Sequence, residues 1–364
     1  MTVGARGPAA AQAIRRAWSE SRPLTVVAPG RQPHSPAWPL PTGTATVVAT
    51  SGTTASPRLV AHTRDAVEAS CRAVSTALDI DPDRDRWLAC VPLHHVAGLA
   101  IVLRATITGT ALTVHDGFDA DAVGRAAGEC TLVSLVPTQL GRLLEMGAPL
   151  HRFRAVLLGG GPIPPVVLDR ALAAGVPVHT TYGLTETFGG CVHDGNALAG
   201  VDLDLTDSSN EILVRGPMLL SGYVDGGSAA REACDADGWF ATGDVGAIDA
   251  TGRLTIVDRL KDLIITGGVN VSPTAIERVL LGHPAIADAC VVGLPDREWG
   301  ERVVAYITTA PPDRTPPTVA ELREFAAERL TRAELPREIR VIDEIPRTTS
   351  GKPLRRVLAR PDEA

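Results

Sequence analysis

The chain has 364 residues, enough for two or three domains, and its 45% hydrophobic and 21% charged residues are ordinary for a globular protein. A net charge of −7 without a basic stretch that contains aromatic residues argues against a nucleic-acid partner, and no apolar run is long enough to span a membrane. The N-terminus lacks the apolar segment of a signal peptide and the six cysteines form no CxxC pair, so we expect a cytoplasmic protein without a zinc site or disulfide framework.

Residues 1–40 are rich in Ala, Arg and Pro, and they predict a short helix followed by a surface linker. From residue 45 onward, short apolar runs alternate with helical patterns, which indicates an α/β domain with a largely parallel sheet. The predicted strands cover residues 45–49, 87–91, 111–114, 132–136 and 155–158. The predicted helices cover residues 64–78, 137–146 and 164–174, and Thr63 caps the first of them.

After residue 200 the predicted elements become shorter, with strands at 211–215 and 252–257 and a charged segment at 258–262. Beyond this segment lies an α+β pattern: a helix capped by Ser272, strands at 287–292 and 303–308, and a helix at 319–330. We therefore expect a large domain over residues 41–260 and a small, mobile C-terminal domain over residues 261–364.

A loop dense in hydroxyl groups follows the strand at residues 45–49. It consists of Thr50, Ser51, Gly52, Thr53, Thr54, Ala55, Ser56, Pro57 and Arg58. Hydroxyl and backbone N–H donors can surround phosphate oxygens, and glycine permits a close approach of the backbone. The spacing of a Walker A loop is absent. The segment thus predicts a polyphosphate-binding loop of another kind rather than an ordinary polar turn.

This loop resembles the phosphate loop of the adenylate-forming superfamily, which includes acyl-CoA synthetases, luciferases and peptide-synthetase adenylation domains. The usual pattern is Ser/Thr-Ser-Gly-Thr-Thr-Gly-x-Pro-Lys, and the chain departs from it at Ala55 and at Arg58, which keeps the positive charge. Ala55 implies a backbone that need not adopt positive φ or that does so with modest strain. The resemblance implies a large α/β domain of sheets packed against helices, trimmed at its N-terminus, that binds ATP and the acyl group, plus a small α+β C-terminal domain.

Further motifs of the large domain follow in the family's order. Residues 92–98 resemble the motif that places a histidine, here His95, at the acyl pocket. The residues that border the adenine by resemblance are Gly159, Gly160, Gly161 and Pro162. In the next motif a tyrosine lies against adenine, a threonine contacts the α-phosphate and a glutamate helps to hold Mg²⁺. Its residues here are Tyr182, Gly183, Thr185 and Glu186.

The ribose and hinge motifs match as well. Asp244 corresponds to the aspartate that binds the ribose hydroxyls, Arg259 to the arginine that approaches the ribose, and Lys261 to the hinge. Residues 267–271 and 296–303 resemble motifs of the C-terminal domain.

Only two of the 35 basic residues are lysines, Lys261 and Lys352. Arginine and lysine differ in shape, hydration and hydrogen-bond geometry, so a chain that prefers arginine indicates a need for an ammonium group where lysine remains. Lys352 ends residues 346–352, which match the final family motif and its catalytic lysine.

The resemblance implies a two-step reaction that uses ATP, Mg²⁺ and coenzyme A. A carboxylate first attacks the α-phosphorus of ATP; because both reactants are anionic, catalysis depends on positioning and electrostatic stabilisation, with Lys352 bridging them. The thiol of coenzyme A then attacks the acyl-adenylate after the small domain rotates about the hinge. Gly267 and Gly268 would leave room for the pantetheine arm.

Residues 188–195 resemble the corresponding segment of short 2-succinylbenzoate–CoA ligases of menaquinone biosynthesis. Gly189 and Gly190 would open space for a flat aromatic ring. The polar side chains that could meet a keto group or a second carboxylate are His95, Ser134 and Thr138.

Three alternatives remain. Another aryl- or fatty-acid–CoA ligase would differ only in the lining of its pocket, and a stand-alone adenylation enzyme would load a carrier protein. A non-catalytic nucleotide-binding protein is disfavoured by the presence of Lys352, Glu186 and Asp244. A homo-oligomer is compatible with the sequence.

Overall fold

The computed structural model describes residues 1–4, 6–28, 40–50, 58–224, 233–310, 315–347 and 353–359. The chain divides into two compact units. The first consists of Met1–Asp204, Leu213–Thr242 and Ile248–Leu254, and the second of Leu205–Ile212, Gly243–Ala247 and Thr255–Ala364. Among the described residues, no helix is long and apolar enough to cross a membrane.

The helices and strands are numbered in chain order. The helices are α1 (Gly7–Ser19), α2 (Arg64–Ala77), α3 (Val96–Thr108), α4 (Ala120–Ala126), α5 (Pro137–Glu145), α6 (Pro165–Ala173), α7 (Pro273–Leu280), α8 (Val319–Ala326) and α9 (Arg355–Leu358). The strands of the N-terminal half are β1 (Thr2–Gly4), β2 (Leu24–Val27), β3 (Thr44–Ala49), β4 (Leu59–Thr63), β5 (Arg86–Ala89), β6 (Ala111–Val114), β7 (Leu132–Leu135), β8 (Ala155–Leu158), β9 (Val178–Leu184), β10 (Gly189–His193) and β11 (Asn196–Ala197). The later strands are β12 (Asp202–Leu205), β13 (Glu211–Arg215), β14 (Gly222–Tyr223), β15 (Phe240–Ile248), β16 (Leu254–Arg259), β17 (Ile264–Thr266), β18 (Val269–Val271), β19 (Ile286–Asp296), β20 (Gly300–Thr309) and β21 (Glu338–Val341).

A seven-stranded sheet forms the centre of the first unit, in the order β11-β10-β9-β8-β7-β5-β6. The five strands from β6 to β9 are parallel, and β10 and β11 continue the sheet in antiparallel pairing. Parallel strands are usually covered on both faces and therefore form continuous apolar runs, as β8 does from Ala155 to Leu158. The predicted α/β fold with a largely parallel sheet is confirmed.

A second sheet of the first unit has the order β1-β2-β3-β4-β14. The sequence predicts only a helix and a linker over residues 1–40. The structure contains the helix, α1, but it also places β1 and β2 in this sheet, in parallel pairing next to β3. Strands of three and four residues are too short for an alternating apolar pattern to reveal them.

Capping and burial explain the helices around the large sheet. The Thr63 side chain accepts a hydrogen bond from the Ala66 N–H at 3.1 Å, which confirms the predicted start of α2. Helix α3 is apolar on nearly all sides, as expected of an interior helix, yet it contains one buried cation, Arg104. On the other side, α4, α5 and α6 contribute to a core that includes Phe153 and Leu140.

The second unit contains a small antiparallel sheet of order β18-β17-β20-β19, with β21 parallel to β20. Its core is built from alternate residues of β19 and β20 and from the inward faces of α7 and α8. The Ser272 side chain accepts a hydrogen bond from the Ala275 N–H at 3.0 Å and starts α7 as predicted. The strands β12, β13, β15 and β16 contain residues of both units. The predicted boundary near Lys261 stays a prediction.

Candidate active site

Four parallel strands of the large sheet end at one edge, and the predicted motifs follow them there. The strands β5, β7, β8 and β9 lie side by side in parallel register. The motif residues in the segments that follow are His95, Thr138, Gly159 and Thr185. Ligands of open α/β sheets bind beyond the carboxyl ends of the strands, which makes this edge the candidate site.

The direction in which the chain crosses the sheet reverses between β5 and β7. The next strand after β5 lies on one side of it, whereas β7 is followed by β8 and β9 on the other side. Such a switch point opens a crevice at the strand ends. The segments beside it contain His95 and Thr138, while Ser134 lies half-buried within β7. Their contact with a substrate stays a prediction.

The two histidines lie in the turn between β5 and α3. The ring centroids of His94 and His95 are 4.4 Å apart, and the His95 N–H donates to the Pro92 carbonyl at 3.2 Å. A Cβ at Gly98 would clash with that same carbonyl oxygen. Glycine therefore permits the tight turn that holds both half-buried imidazole rings at the strand end.

Glycines also border the end of β8. A Cβ at Gly159 would lie 2.6 Å from the Thr181 carbonyl oxygen, and Gly160 has a φ of +81°. The close packing of β8 against β9 requires glycine at position 159, and the left-handed backbone favours glycine at position 160. Gly161 and Pro162 follow at the surface. The predicted contact of these four residues with adenine stays a prediction.

The hairpin of β9 and β10 brings Tyr182 and the two glycines of the predicted acyl site together. Gly189 pairs with Leu184 and Gly190 with Gly183 in antiparallel register. A side chain at Gly183 would clash with the Gly189 carbonyl, so the hairpin can close only with glycine at position 183. Tyr182 is half-buried in β9.

The turn between these strands carries Thr185 and Glu186. It is fixed by Thr187, whose hydroxyl accepts from the Leu184 N–H at 2.9 Å, and by Ser70, whose hydroxyl donates to the Phe188 carbonyl at 3.1 Å. Thr185 is half-buried and Glu186 is 9% exposed. The turn therefore holds a hydroxyl and a carboxylate in fixed positions at the strand end.

The neutral histidine His62 lies behind this turn. It is fully buried, and its ring packs edge-on against Phe188 with the centroids 5.2 Å apart. Burial lowers the pKa of His62 to about 4, although the backbone carbonyls of Glu186 and Thr185 oppose this shift. The ring is therefore uncharged at neutral pH and brings no cation next to Glu186.

Glu186 belongs to a chain of contacts that the sequence does not predict. Its carboxylate accepts a hydrogen bond from the Tyr223 hydroxyl at 2.9 Å. Burial and the neighbouring Glu186 carboxylate raise the pKa of Tyr223, which keeps the hydroxyl protonated as a donor. On the other side of Tyr223, the Arg58 guanidinium carbon lies 3.3 Å from the ring centroid.

The two ends of the predicted phosphate loop are joined to each other. The Thr50 N–H donates to the Arg58 carbonyl at 2.8 Å, and the Arg58 N–H donates to the Thr50 hydroxyl at 3.1 Å. The predicted phosphate-binding residues between these ends lie outside the described residues: Ser51, Gly52, Thr53 and Thr54. The chain thus leaves β3 and enters β4 at closely spaced points.

A magnesium ion fits the carboxylate of Glu186. In the described part of the chain no group of three or more His, Cys, Asp or Glu side chains could hold a metal by itself. Mg²⁺ is commonly bound by one or two carboxylates together with substrate phosphates. Glu186 is buried, is oriented by Tyr223 and, among the described residues, forms no ion pair.

Two buried residues behind the predicted acyl site were not identified from the sequence. Arg104 is 4% exposed and lies over the Trp87 ring at 5.2 Å, and His193 lies against Gly190 in the β9–β10 hairpin. Burial, with help from the Arg104 charge, lowers the pKa of His193 to about 4. One sequence signal could have identified Arg104: it is the single charged residue in the apolar segment that forms α3.

In the second unit, the two residues predicted to bind ribose form an ion pair. The Arg259 Nε lies 2.6 Å from the Asp244 carboxylate, which is buried. Lys261 follows in a short 3₁₀ turn and is exposed. The structure thus brings Asp244 and Arg259 together, while the ribose contact and the hinge role stay predictions.

The glycines of the next motif form the turn between β17 and β18. Gly267 and Gly268 have φ values of +59° and +79°, as a two-residue type I′ hairpin turn requires. A Cβ at Gly267 would also lie 2.9 Å from the Trp299 ring. The turn by itself therefore accounts for both glycines, and room for a pantetheine arm stays a prediction.

Lys352 lies outside the described residues, but the segments on either side of it are held by ion pairs. Arg347 binds the Asp288 carboxylate through two contacts of 2.7 and 2.8 Å. Arg355 binds both carboxylate oxygens of Glu277 at 2.7 Å. The Leu354 N–H donates to the Pro346 carbonyl at 2.8 Å, which closes the segment. Two arginine–carboxylate pairs thus fix where the chain enters and leaves residues 348–352.

Comparison with known proteins agrees with this geometry. The family model of AMP-binding enzymes matches residues 5–224, and the model of the AMP-binding enzyme C-terminal domain matches residues 275–352. The 2-succinylbenzoate–CoA ligase of Geobacillus kaustophilus is 36% identical over 345 residues, which cover 87% of this chain and 69% of that protein.

Two solved structures of o-succinylbenzoate CoA synthetase from Bacillus subtilis are similar to this chain. The complex with the acyl-adenylate intermediate has a TM-score of 0.79 and 31% identity, and the match covers 95% of this chain and 76% of that one. The complex with ATP and magnesium ion has a TM-score of 0.77 and 31% identity, covering 94% and 76%.

Proposed function

The chain belongs to the family of AMP-binding enzymes, and we propose that it is a 2-succinylbenzoate–CoA ligase of menaquinone biosynthesis. The reaction converts ATP, 2-succinylbenzoate and coenzyme A into the acyl-CoA, AMP and pyrophosphate. The names of the similar proteins support this choice. We place the reaction in the cytoplasm, where ATP and coenzyme A are available.

In the first step the succinyl carboxylate attacks the α-phosphorus of ATP, and pyrophosphate leaves. Thr50 and Arg58, with the hydroxyl loop between them, hold the phosphates that depart. Thr185 donates a hydrogen bond to the α-phosphate, and Lys352 bridges that phosphate and the attacking carboxylate. Positive charge and fixed donors reduce the repulsion between the two anions, which is the main barrier to the reaction.

The remaining proposed contacts with the nucleotide involve its adenine, its ribose and its metal ion. Tyr182 and the segment from Gly159 to Pro162 border the adenine, and Asp244 and Arg259 bind the ribose. Glu186 holds Mg²⁺, which neutralises phosphate charge when it is bound.

In the second step the thiolate of coenzyme A attacks the acyl carbonyl, and AMP leaves. The acyl C–O bond breaks, and the former carboxylate oxygen leaves with AMP. Lys352 acts in the first step only, in which the bond between that oxygen and the α-phosphorus forms. We place the hinge at Lys261, between a large domain of residues 41–260 and a small domain of residues 261–364. The small domain rotates about this hinge between the first and the second step.

The buried cation Arg104 is the observation that carries the choice of acid. In the described part of the chain no Asp or Glu forms an ion pair with Arg104, and its buried Nε has no hydrogen-bond partner there. An uncompensated charge in the interior is costly, so a bound anion would stabilise the site. 2-Succinylbenzoate has two carboxylates, of which one is activated and the other is free to bind Arg104.

The position of Arg104 on α3 supports this assignment. A Cβ at Gly189 would lie 3.8 Å from the Ala100 side chain, so this face of α3 is directed at the predicted acyl site. Arg104 lies one turn after Ala100 and therefore on the same face of the helix. Next to it, the neutral ring of His193 offers a hydrogen-bond partner without a competing charge. His95, Ser134 and Thr138 lie at or near the switch point and complete the proposed pocket.

The alternative acids do not use this cation. A fatty acid or a simple benzoate has one carboxylate, which the first step consumes, and would leave Arg104 buried without a counter-ion. A carrier-protein-loading enzyme would require acyl transfer to a phosphopantetheine protein instead of free coenzyme A.

One assay tests the proposal. The protein is incubated with ATP, Mg²⁺ and coenzyme A and with 2-succinylbenzoate, benzoate or a fatty acid, and AMP and thioester are measured. We expect both products with 2-succinylbenzoate and little of either with the other acids. Absence of turnover with 2-succinylbenzoate would refute the assignment.

The Arg104→Leu variant tests the role of the second carboxylate. Because a hydrogen-bonded charged partner contributes about 1.5–3 kcal/mol, we expect kcat/KM for 2-succinylbenzoate to fall about 10- to 100-fold. Residual turnover of benzoate should not fall, since benzoate has no second carboxylate. An equal loss for both acids would show that Arg104 serves only the packing of α3.

A further inference from the structure

Tyr223 lies between the two charged groups that the proposed function assigns to the phosphates and to Mg²⁺. The face of its ring is covered by the Arg58 guanidinium at 3.3 Å, and its hydroxyl donates to the Glu186 carboxylate at 2.9 Å. All three residues belong to the first unit. One side chain therefore contacts a cation through its ring and an anion through its hydroxyl.

The backbone fixes Tyr223 in this position. Tyr223 pairs with Val60 in the antiparallel ladder of β14 and β4, and the next residue donates its N–H to the Leu59 carbonyl at 2.9 Å. The strand β4 begins directly after Arg58. Tyr223 is thus tied to the strand that carries Arg58 in sequence, although it lies far from Glu186 along the chain.

The contact also explains why arginine is accepted where the family usually has lysine. A planar guanidinium stacks on an aromatic face, whereas an ammonium is a compact, strongly hydrated charge that stacks less well. In the described part of the chain Arg58 and Glu186 form no ion pair with each other. The Tyr223 side chain occupies the space between them.

We propose that Tyr223 is a positioning residue that keeps the Arg58 cation and the Glu186 anion from neutralising each other. Without the ring, the flexible Arg58 side chain would form an ion pair with the buried Glu186 carboxylate. Neither charge would then be available to bind phosphate or Mg²⁺. With the ring in place, Arg58 remains available for phosphate oxygens, and the hydroxyl orients the carboxylate as outer-sphere hydrogen bonds orient metal ligands. This inference rests on the proposed roles of Arg58 and Glu186.

Two variants separate the two contacts. Tyr223→Phe keeps the ring for Arg58 and removes the hydrogen bond to Glu186, whereas Tyr223→Leu removes both contacts. The readout is the affinity for ATP by titration calorimetry, without divalent metal and at increasing Mg²⁺ concentrations, in the absence of any acid. The matched control is Tyr306→Phe, which removes a hydroxyl that donates to the Leu358 carbonyl at 2.8 Å in the second unit.

For Tyr223→Phe we expect metal-free ATP affinity to be unchanged and the Mg²⁺ requirement to rise about tenfold, the usual effect of losing a hydrogen bond to a metal ligand. For Tyr223→Leu we expect metal-free ATP affinity to fall as well, because Arg58 pairs with Glu186. Adding Glu186→Gln to Tyr223→Leu should then restore metal-free affinity. A structural defect alone would not be repaired by this second substitution.

An unchanged Mg²⁺ requirement in Tyr223→Phe, or no recovery in Tyr223→Leu/Glu186→Gln, would overturn the inference. If Tyr223→Leu does not fold, Tyr223→Met, which also removes the ring, replaces it alone and together with Glu186→Gln. Failure of the proposed function is seen separately, as a wild-type protein that binds MgATP but forms no AMP with 2-succinylbenzoate.

Discussion

The two units of the molecule hold the residues of the candidate site by different means. In the first unit, His95, Thr185 and Glu186 lie in segments that follow the ends of sheet strands, and tight backbone turns at glycines fix those segments. In the second unit, arginine–carboxylate pairs hold the groups: Arg259 with Asp244, Arg347 with Asp288 and Arg355 with Glu277.

The candidate site of the first unit is thus held by strands and turns, whereas the candidate segments of the second unit are held by ion pairs. At the candidate site of the first unit, strands and turns place Thr185 and Glu186 without an ion pair among the described residues, so that site should be sensitive to added volume and to protonation of the buried histidines. The second unit depends on pairs of charges, and the cost of removing one member depends on how deeply its partner is buried, which is greatest for Arg355 and Glu277. The predictions below probe these two modes, beginning with the largest expected effect.

Glu277→Ala should produce the largest loss of stability. Glu277 is buried and binds Arg355 through both oxygens, so its removal leaves a largely buried cation without its partner. Burial raises the pKa of Glu277 to about 7, so the cost, about 3 kcal/mol, should be reached above that pH, where the carboxylate is ionised. We expect faster hydrogen exchange in β19 and β20, measured by mass spectrometry. Glu298→Ala, at an exposed position, is the control. Equal exchange in both variants would show that charge pairing does not hold this unit.

Acid should destabilise the first unit through His62. Because its pKa is about 4 in the folded protein and about 6.5 when unfolded, the unfolded chain binds the extra proton between these values. The contribution of His62 to the free energy of unfolding should be nearly constant above about pH 7 and should fall by about 2 kcal/mol by pH 5, while His193, with a similar pKa, adds a separate fall. Urea unfolding of His62→Leu should show a weaker dependence on pH, and the exposed His151→Leu should behave as the wild type. Identical slopes for all three proteins would contradict the account.

Gly183→Ala should strain the β9–β10 hairpin. Its added methyl group would clash with the Gly189 carbonyl, and crowding of this kind costs about 1–3 kcal/mol. We expect a lower urea midpoint together with reduced adenylation, since the same hairpin carries Thr185 and Glu186. Gly117→Ala introduces a methyl group into open space and should change neither quantity. A stable Gly183→Ala variant would refute the assignment of this hairpin as a rigid platform.

Asp244→Asn should have the smallest effect. It removes one charge from the pair with Arg259 and weakens the proposed hydrogen bonds to ribose, which corresponds to about 1 kcal/mol. The KM for ATP should rise about fivefold, with kcat nearly unchanged. Asp202→Asn, which breaks the exposed pair with Arg215, should leave the KM for ATP as it was.

The sequence predicted those parts of the structure that depend on local patterns. Apolar runs matched β6, β8 and β13 at both ends, and the caps Thr63 and Ser272 start the helices that they were expected to start. The order of the motifs predicted the family, because each motif is a short segment whose residues act together.

Contacts between residues that lie far apart in the sequence could not be predicted from local patterns. Tyr223 reaches Glu186 across 37 positions and Arg355 reaches Glu277 across 78, and neither pairing leaves a periodic signal. The apolar pattern of α3 indicates that Arg104 is buried, but its position over the Trp87 ring depends on how α3 packs against other elements. The sequence therefore indicates candidate residues inside motifs, and it does not indicate the residues that hold them in position.

The most direct test of the account measures the two half-reactions of Lys352→Ala separately. Acid-dependent exchange of pyrophosphate into ATP reports the first step, and thioester formation from supplied acyl-adenylate reports the second. We predict that exchange falls about 10²- to 10³-fold, as for loss of a group that stabilises developing charge, while thioester formation stays near the wild-type rate. Lys352→Arg should not restore exchange. Retained exchange, or an equal loss in both half-reactions, would contradict the account.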